Sequence, residues 1–503
     1  FRRVLFRSRY RDHVYLRQFL STTNYTYHNL NDRLLSVSAS KGSSTVVNEY
    51  GYLNDQLKTI VHNGFHISFT NNGFQQLTNI DLLHPTNPLL KRNLMSRSYD
   101  PITQRLLSQT YGNGHTISYD VDDLNRVVAI RHQGVVKTTF DYDANGLLGR
   151  LVEVDRGVTT RYIYDFANRL VSMVSTDGVS TRYHYDANNQ VSSIKDSVGL
   201  NNRTTSYTFD DDNRLTQLTT PANRIRSYTL DGLGRLTSST INTTTPLLSS
   251  YTYQPHPSDP TLTSARLASV THGSLPSIHY TYDANGNIVS VQQGSATIQY
   301  IYNELNEVIR ENNQRDQVTW VYEYDLGGNI VAKKEYPYTT GSLSTPLRVI
   351  PYVYGDAVWK DLLTSYDGQA ISSDTIGNPL IMGNRSFTWQ KGRQLAALNI
   401  GGTSVQYSYN HAGIRTSKLV NGVTTTYRLR GDVVLEETTG SSTMRYGYDP
   451  NNQLISIEYG GVEYGVLRNA QNDVMALVNP SGSIVVQYAY STWGEVVSIS
   501  GSM

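Results

Sequence analysis

Apolar and polar residues alternate along this chain in short runs, many of them opened by a single Leu or Ile, as at Leu147, Leu170, Leu215, Leu236 and Ile288. A period of two sends successive side chains to opposite faces, so these runs predict β-strands. Thr, Val, Ser and Gly dominate and no long segment keeps a 3.6-residue period, so no substantial helix is expected. The predicted class is all-β.

A repeated unit, Tyr-x-Tyr-Asp-x-x-(Asn/Gly)-(Arg/Asn)-(Leu/Ile/Val), ties the runs together. Clear copies centre on Tyr142-Asp143, Tyr164-Asp165, Tyr185-Asp186, Tyr282-Asp283, Tyr324-Asp325 and Tyr448-Asp449. Degenerate copies include Tyr25/Tyr27, Tyr50/Tyr52, Tyr119-Asp120, Phe209-Asp210, Leu230-Asp231, Tyr300/Tyr302, Tyr407/Tyr409 and Tyr488/Tyr490. Between Tyr142 and Leu230 the copies lie roughly 21 to 24 residues apart, a repeat-protein period. Two tyrosines two apart share one face of a strand, where the rings are expected to stack on the neighbouring strand while the hydroxyls find partners. Asp then leaves the strand, and Asn145-Gly146 or Asn285-Gly286 supplies the positive φ of a tight hairpin turn. One unit is therefore about one hairpin, and each hairpin leans on the next because a single one is marginal in water. Arg169, Arg214 and Arg235 follow Asp165, Asp210 and Asp231 by four positions and are placed to pair across the turn. Pro-containing stretches near His84 to Lys91, Thr245 to Thr261 and Tyr336 to Pro351 break the period and read as loops between hairpins.

Composition turns this picture from a packed ball into a thin wall. The hydrophobic class is 38%, unchanged if Gly replaces Tyr in it because each numbers 38, and charged residues are 17%. Ordinary domains reach roughly 45–50% and about 25%. Tyr, Thr, Ser, Asn and Gln fill the gap, which suits a sheet with both faces partly wet. A net charge of +1 without blocks of like charge leaves no electrostatic footprint for nucleic acid or an anionic membrane. Cysteine is absent, which excludes disulfides and thiolate chemistry. No apolar run approaches the roughly 18 residues of a membrane span. Residues 1–8 resemble a reading frame through a sequencing adapter and are set aside, which leaves 9–503 as the repeat array.

Candidate chemistry is thin. Asp141-Tyr142-Asp143-Ala144-Asn145-Gly146 imitates the opening of a calcium loop, but Val152 holds the place of the bidentate Glu, so a plain hairpin turn is the better reading. His62 and His66 have the metal spacing of a helix, yet in a β region they share a strand face or flank the turn at Asn63-Gly64, with no third ligand nearby. Most Asp residues repeat at one position, where turn chemistry explains them better than acid/base catalysis. The G-x-S-x-G, H-E-x-x-H and G-x-x-x-x-G-K-[ST] motifs are absent. No catalytic, cofactor-binding or metal-binding residue is assigned, and no cofactor is expected. The tyrosines, with flanking Asn and Asp, leave open a glycan-binding role by stacking on sugar rings.

The unit resembles the YD repeat of bacterial Rhs and wall-associated proteins and of animal teneurins, from about Tyr25 to Trp493. The most diagnostic part runs Leu467-Arg468-Asn469-Ala470-Gln471-Asn472-Asp473-Val474, Asn479-Pro480-Ser481-Gly482 and Tyr488-Ala489-Tyr490-Ser491-Thr492-Trp493-Gly494, and looks like the stretch leading into the Rhs-associated core. Trp359-Lys360-Asp361-Leu362-Leu363 and Gly392-Arg393-Gln394-Leu395 look like Gram-positive versions. The resemblance implies a β-strip spiralling into a hollow, barrel-like shell, Tyr-rich inside and out. In bacterial relatives such a shell encloses the polypeptide's own C-terminal toxin region; in teneurins it supports cell-surface adhesion. The implied location is secreted or cell-wall-associated. The family's autoproteolytic aspartates would lie beyond Met503, so no cleavage residue is assigned. Three roles are carried forward: a non-catalytic toxin shell, an adhesion or carbohydrate-binding module, and a glycosidase-like enzyme supported only by scattered carboxylates.

Overall fold

The computed structural model describes residues 22–28, 32–41, 44–87, 89–256 and 259–503; the expected artefact at residues 1–8 lies outside them. These residues form 44 strands in one continuous sheet. Each strand pairs antiparallel with its neighbours in sequence, from Thr22–Tyr27 against Leu34–Lys41 to Ile484–Tyr490 against Val496–Gly501. Among the described residues the only helical element is a single 3-10 turn, Val154–Arg156.

The expected alternation is visible in Val158–Tyr164. Val158, Thr160, Tyr162 and Tyr164 lie on the covered face, whereas Arg161 and Ile163 lie on the exposed one. Val179–Tyr185 repeats the pattern. The paired tyrosines of the unit therefore share one face, as their spacing predicts.

Long-range contacts show that the strip coils. Its strands have two ends, one at the tyrosine-aspartate (YD) turns and one opposite. Asn63, at an opposite-end loop, donates to Asp325 and Asp361, 262 and 298 residues later. Asn113 reaches Asp374 across 261 residues, Asp196 reaches Arg430 across 234, and Arg315 reaches the Tyr490 carbonyl across 175. The chain completes one lap and then lies against itself in the same direction, and the shrinking separations show that the second lap is the tighter.

The laps meet in two ways. Early on they stack end to end: the turn holding Asp374 and Ile376 caps the loop at Gly112 and Asn113, and Ile376 is completely buried. Later the second lap slides onto the tyrosine face. Tyr207 donates to the Tyr448 carbonyl at 3.0 Å, the Thr244 and Thr245 N–H groups donate to the Pro480 and Ser481 carbonyls at 3.1 Å, and the Tyr322 ring meets Trp493 edge-on. The main core lies in this overlap, with Ile241, Leu247, Val270, Ile278 and Tyr280 from the first lap against Leu467, Ala476 and Val478 from the second.

Two of the expected loops are partly strand. Leu247–His256 and Asp259–His272 form the longest hairpin arms in the sheet, and Pro255 is tolerated where the register is broken. Arg348–Val353 is likewise a strand, so the loop after Pro337 ends at Leu347.

Candidate functional site: the YD turn and the seam between laps

The aspartate of each clear copy closes its own turn. Asp143 Oδ1 accepts the N–H groups of Asn145 and Leu147 at 2.9 and 2.8 Å. Asp165, Asp186, Asp325 and Asp449 accept the N–H groups two and four residues on in the same way, and Asp283 accepts that of Asn287. This side-chain mimic of a backbone turn is what Asp offers at that position. In Asn145-Gly146 and Asn285-Gly286 only the glycine is left-handed, Gly146 at φ 81° and Gly286 at φ 91°. The YD turn is thus a three-residue loop whose one left-handed residue is the glycine, so Asn-Gly supplies the positive φ of a tight hairpin turn as expected. Two-residue turns with both φ positive occur elsewhere, as at Asn63-Gly64 and Asn421-Gly422.

The second tyrosine of each unit is a latch. In the six clear copies its hydroxyl donates to a carbonyl of the return strand of the preceding hairpin: Tyr142 to Val127, Tyr164 to Leu148, Tyr185 to Leu170, Tyr282 to Leu267, Tyr324 to Val308 and Tyr448 to Val434, all between 2.6 and 3.1 Å. The ladder between Leu148–Glu153 and Val158–Tyr164 ends at Arg150 opposite Arg161, short of the turn. The Tyr164 hydroxyl closes the gap that remains. Trp389 takes the same part, its indole N–H donating to the Pro379 carbonyl at 2.7 Å.

The arginine after the turn has two partners. Arg169, Arg214 and Arg235 pair with Asp165, Asp210 and Asp231 at 2.7, 2.8 and 2.6 Å, as their spacing predicted. Arg169 and Arg235 also lie over the rings of the next latches, Tyr185 and Tyr253, at 4.4 and 4.3 Å. Guanidinium, rather than a second tyrosine ring, is the usual stacking partner here. The Arg169 side chain and the turn's N–H groups hold the Asp165 carboxyl below its ordinary range. Asp449, with Gln453 in place of arginine, is pushed up by burial under the overlap.

The seam between laps uses residues that the repeat does not mark. Glu153, buried, accepts the His411 N–H at 2.5 Å and pairs with Arg156; Asp196 pairs with Arg430 at 2.6 Å; Glu463 accepts from Thr220 at 2.6 Å. Arg203 bridges to Glu458 of the later lap. His62 bonds Asn48 and Asp361, and its pKa is raised chiefly by the Asp361 bond; burial resists ionisation of Asp361, but the bonds from His62, Asn63 and Asn329 outweigh it. His62 and His66 flank the Asn63-Gly64 turn, the second of the two expected placements. Among the described residues no three His, Cys, Asp or Glu side chains converge as a metal site. Asp141, the opening residue of the calcium-like run, is paired with Arg150. Trp493 sits on Tyr322 across the seam, and Gly494, at φ 82°, closes a turn in which Ser491 stands where Asp usually does. No signal in a single sequence joins Glu153 to His411, Asp361 to Asn63 or Glu463 to Thr220, because the members of each pair lie more than 200 residues apart.

Several known proteins are similar to this chain in part. A family model described as Teneurin YD-shell matches residues 90–261. The tRNA3(Ser)-specific nuclease WapA of Bacillus spizizenii is 31% identical over 208 residues, and the tRNA nuclease WapA of Bacillus subtilis is 29% identical over 208. Each match covers 40% of this chain and 8% of the relative's length. Among solved structures, a TcdB2-TccC3 complex with Cdc42 aligns at 13% identity and TM-score 0.43 over 95% of this chain and 31% of that one. The Tc holotoxin pore of Photorhabdus luminescens aligns at 13% identity and TM-score 0.41 over 95% and 30%. Over residues 90–261 the chain matches the Teneurin YD-shell model, and its sequence is similar there and in its repeats to proteins of the Rhs/YD-repeat kind.

Proposed function

We propose that this chain is a non-catalytic wall segment of a secreted or cell-wall-associated toxin, and that it helps enclose a C-terminal toxin region of the same longer polypeptide. The observation that carries this reading is the coiling of one strip, in which each hairpin is latched to the last and the second lap grips the first. Such a strip makes an enclosure, and a cargo in it is held by topology rather than by affinity. The turn carboxylates accept backbone N–H groups, a structural role that accounts for their repetition without catalysis. The nuclease activity for which the Bacillus relatives are named belongs to proteins of which this chain matches 8%; by analogy it is assigned to cargo rather than wall.

The test is protease protection in the full-length polypeptide. A C-terminal region that resists protease until the shell is denatured, with an internal void seen by electron microscopy, is the expected result. Cleavage as fast as that of the free C-terminal region, or a particle without a void, overturns the reading.

A further inference from the structure

Five Asn-Gly pairs occur in the chain, at Asn63, Asn113, Asn145, Asn285 and Asn421. The pair is chemically distinctive, because glycine has no Cβ to keep its backbone nitrogen away from the carbonyl carbon of the asparagine side chain. The dipeptide is the same in all five, and the fold surrounds each differently. Two are blocked at the side chain: Asn63 donates to Asp325 and Asp361, and Asn113 donates to Asp374 and the Gly392 carbonyl, so both amides are clamped in the seam. Two are blocked at the glycine. The Gly146 and Gly286 N–H groups donate to the Asp143 and Asp283 carbonyls at 3.0 and 3.1 Å, which occupies the nitrogen. At Asn285 the side-chain amide is held as well, donating to Asn306 at 3.0 Å.

Asn421-Gly422 carries neither restraint. The pair forms the two-residue turn between Arg415–Val420 and Val423–Arg430, at the end of the second lap opposite its YD turns, and both residues are exposed. Among the described residues neither the Gly422 N–H nor the Asn421 side-chain N–H groups have an acceptor. A Cβ built on Gly422 would meet nothing within 4 Å, so the peptide plane between the two residues is free to turn. The side-chain oxygen of Asn421, in contrast, accepts the Ser404 N–H at 3.0 Å. A donor there stabilises the negative charge that develops on the oxygen when the carbonyl carbon is attacked. Nucleophile and leaving group are therefore free, and the oxygen between them is the one atom held.

We propose that Asn421 is a self-modification site, converted without an enzyme to aspartate and isoaspartate. The Gly422 nitrogen gives its proton to solvent base and bonds to Asn421 Cγ. The Cγ–Nδ2 bond then breaks, and Nδ2 leaves as ammonia after taking a proton from water. The resulting succinimide adds one water. Opening at the new Cγ–N bond gives aspartate; opening at the original backbone C–N bond leaves the chain running through Cγ, as isoaspartate. Aspartate keeps the two-residue turn. Isoaspartate lengthens the main chain by a methylene and loosens the ladder where Val420 faces Val423. Either product sets a new carboxylate at the open end of the second lap, and the site is independent of cargo enclosure.

The experiment is peptide mapping of the unaltered 503-residue chain after incubation at mildly alkaline pH. Chromatography with mass spectrometry reads conversion at all five asparagines in one sample, so no variant has to fold. Asn145 and Asn285 are the internal controls, since they are as exposed and differ in the bonded glycine N–H. Asn421 is expected to convert about tenfold faster than either, the factor that one backbone hydrogen bond broken before attack supplies. Isoaspartate is expected among its products. In urea, where every Asn-Gly pair is free, the lead is expected to collapse. The proposal is overturned if Asn421 converts no faster than Asn145 and Asn285 in the folded chain. It is equally overturned if the lead survives unchanged in urea, which would make it a property of the neighbouring residues and not of the turn. None of these results bears on protease protection of the cargo, so the two readings fail separately.

Discussion

The strands around Val158–Tyr164 and those around Val462–Arg468 come from the same kind of hairpin, yet they are buried differently. In the first region burial collects at the end away from the YD turns, where Leu151 and Val179 are each 1% exposed, while the turn tips bare Leu124 and Phe166. In the second, five successive residues, Glu463 to Leu467, are buried, and Leu467, Ala476, Leu477 and Val478 have no exposure at all. The first region is stacked end to end on the second lap; the second lies face-on beneath the first lap. The repeat builds a wall, and a core appears only where the wall is doubled. This is how a chain with 38% hydrophobic residues sustains a single 44-stranded sheet.

The sharpest break of that contrast is a large-to-small change on each side. Leu467→Ala, in the doubled wall, is expected to cost about 2–5 kcal/mol, because its fully buried side chain belongs to the core that both laps build. Leu170→Ala, at a half-buried site, is expected to cost about 1 kcal/mol. Urea unfolding of the two variants measures the difference, and equal losses would mean that overlap adds no core.

A second test acts on the backbone of the overlap. A Cβ on Gly482 would stand 2.2 Å from the Thr245 carbonyl oxygen, and the residue's φ is 92°. Gly402 has φ 94° but open space around it. Gly402→Ala therefore carries the conformational cost alone, about 1–3 kcal/mol, while Gly482→Ala adds a clash with rigid backbone. Hydrogen exchange in Val474–Val478 is expected to quicken in Gly482→Ala and not in Gly402→Ala. Matched behaviour would show that the laps part without resistance.

The hairpin unit was legible in the sequence because its causes are local. A tyrosine pair, an aspartate that caps its own turn and a following arginine all lie within about ten residues, so composition and spacing reveal them. The lap-to-lap fit was not. Asp196 and Arg430 carry no mark of their pairing, and the change from end-stacking to face-on overlap depends on how sheet twist accumulates over many strands. One local reading also failed for a physical reason: proline suggested a loop near Pro255, yet an irregular register leaves room for it in a strand.

Smaller effects separate the two jobs of the tyrosines. Tyr164→Phe removes a latch within one lap, whose acceptor, the Leu148 carbonyl, lies at a half-exposed edge that water can reach. Tyr207→Phe removes a bond between laps from a side chain only 6% exposed. Both are expected to cost about 0.5–1.5 kcal/mol, with Tyr207→Phe at the upper end because the Tyr448 carbonyl loses a bond that water is poorly placed to replace. A larger loss from Tyr164→Phe would make the latch, and not the overlap, the main tie.

The smallest and most discriminating effect is a difference of sign at the turn itself. Asparagine can fill the aspartate's place, as Asn303 does by accepting the N–H groups of Leu305 and Glu307 at 3.0 Å, so Asp→Asn changes charge with little change in geometry. The folded-state pKa of Asp165 is lowered, first by the Arg169 side chain and then by the turn's N–H groups, so its charge adds stability above the unfolded value of about 3.9 and the gain is lost as pH falls through the folded value. Burial raises Asp449, so its charge subtracts stability as pH climbs above about 3.9, and the loss is complete only above the folded value. Asp165→Asn is therefore expected to lower the melting temperature at pH 7, and Asp449→Asn to raise it. Both differences shrink toward pH 3, and the Asp165 effect, resting on a partly exposed pair, fades the more with added salt. The comparison fails if the two variants shift in the same direction at pH 7, because one turn chemistry would then behave alike in the single and the doubled wall.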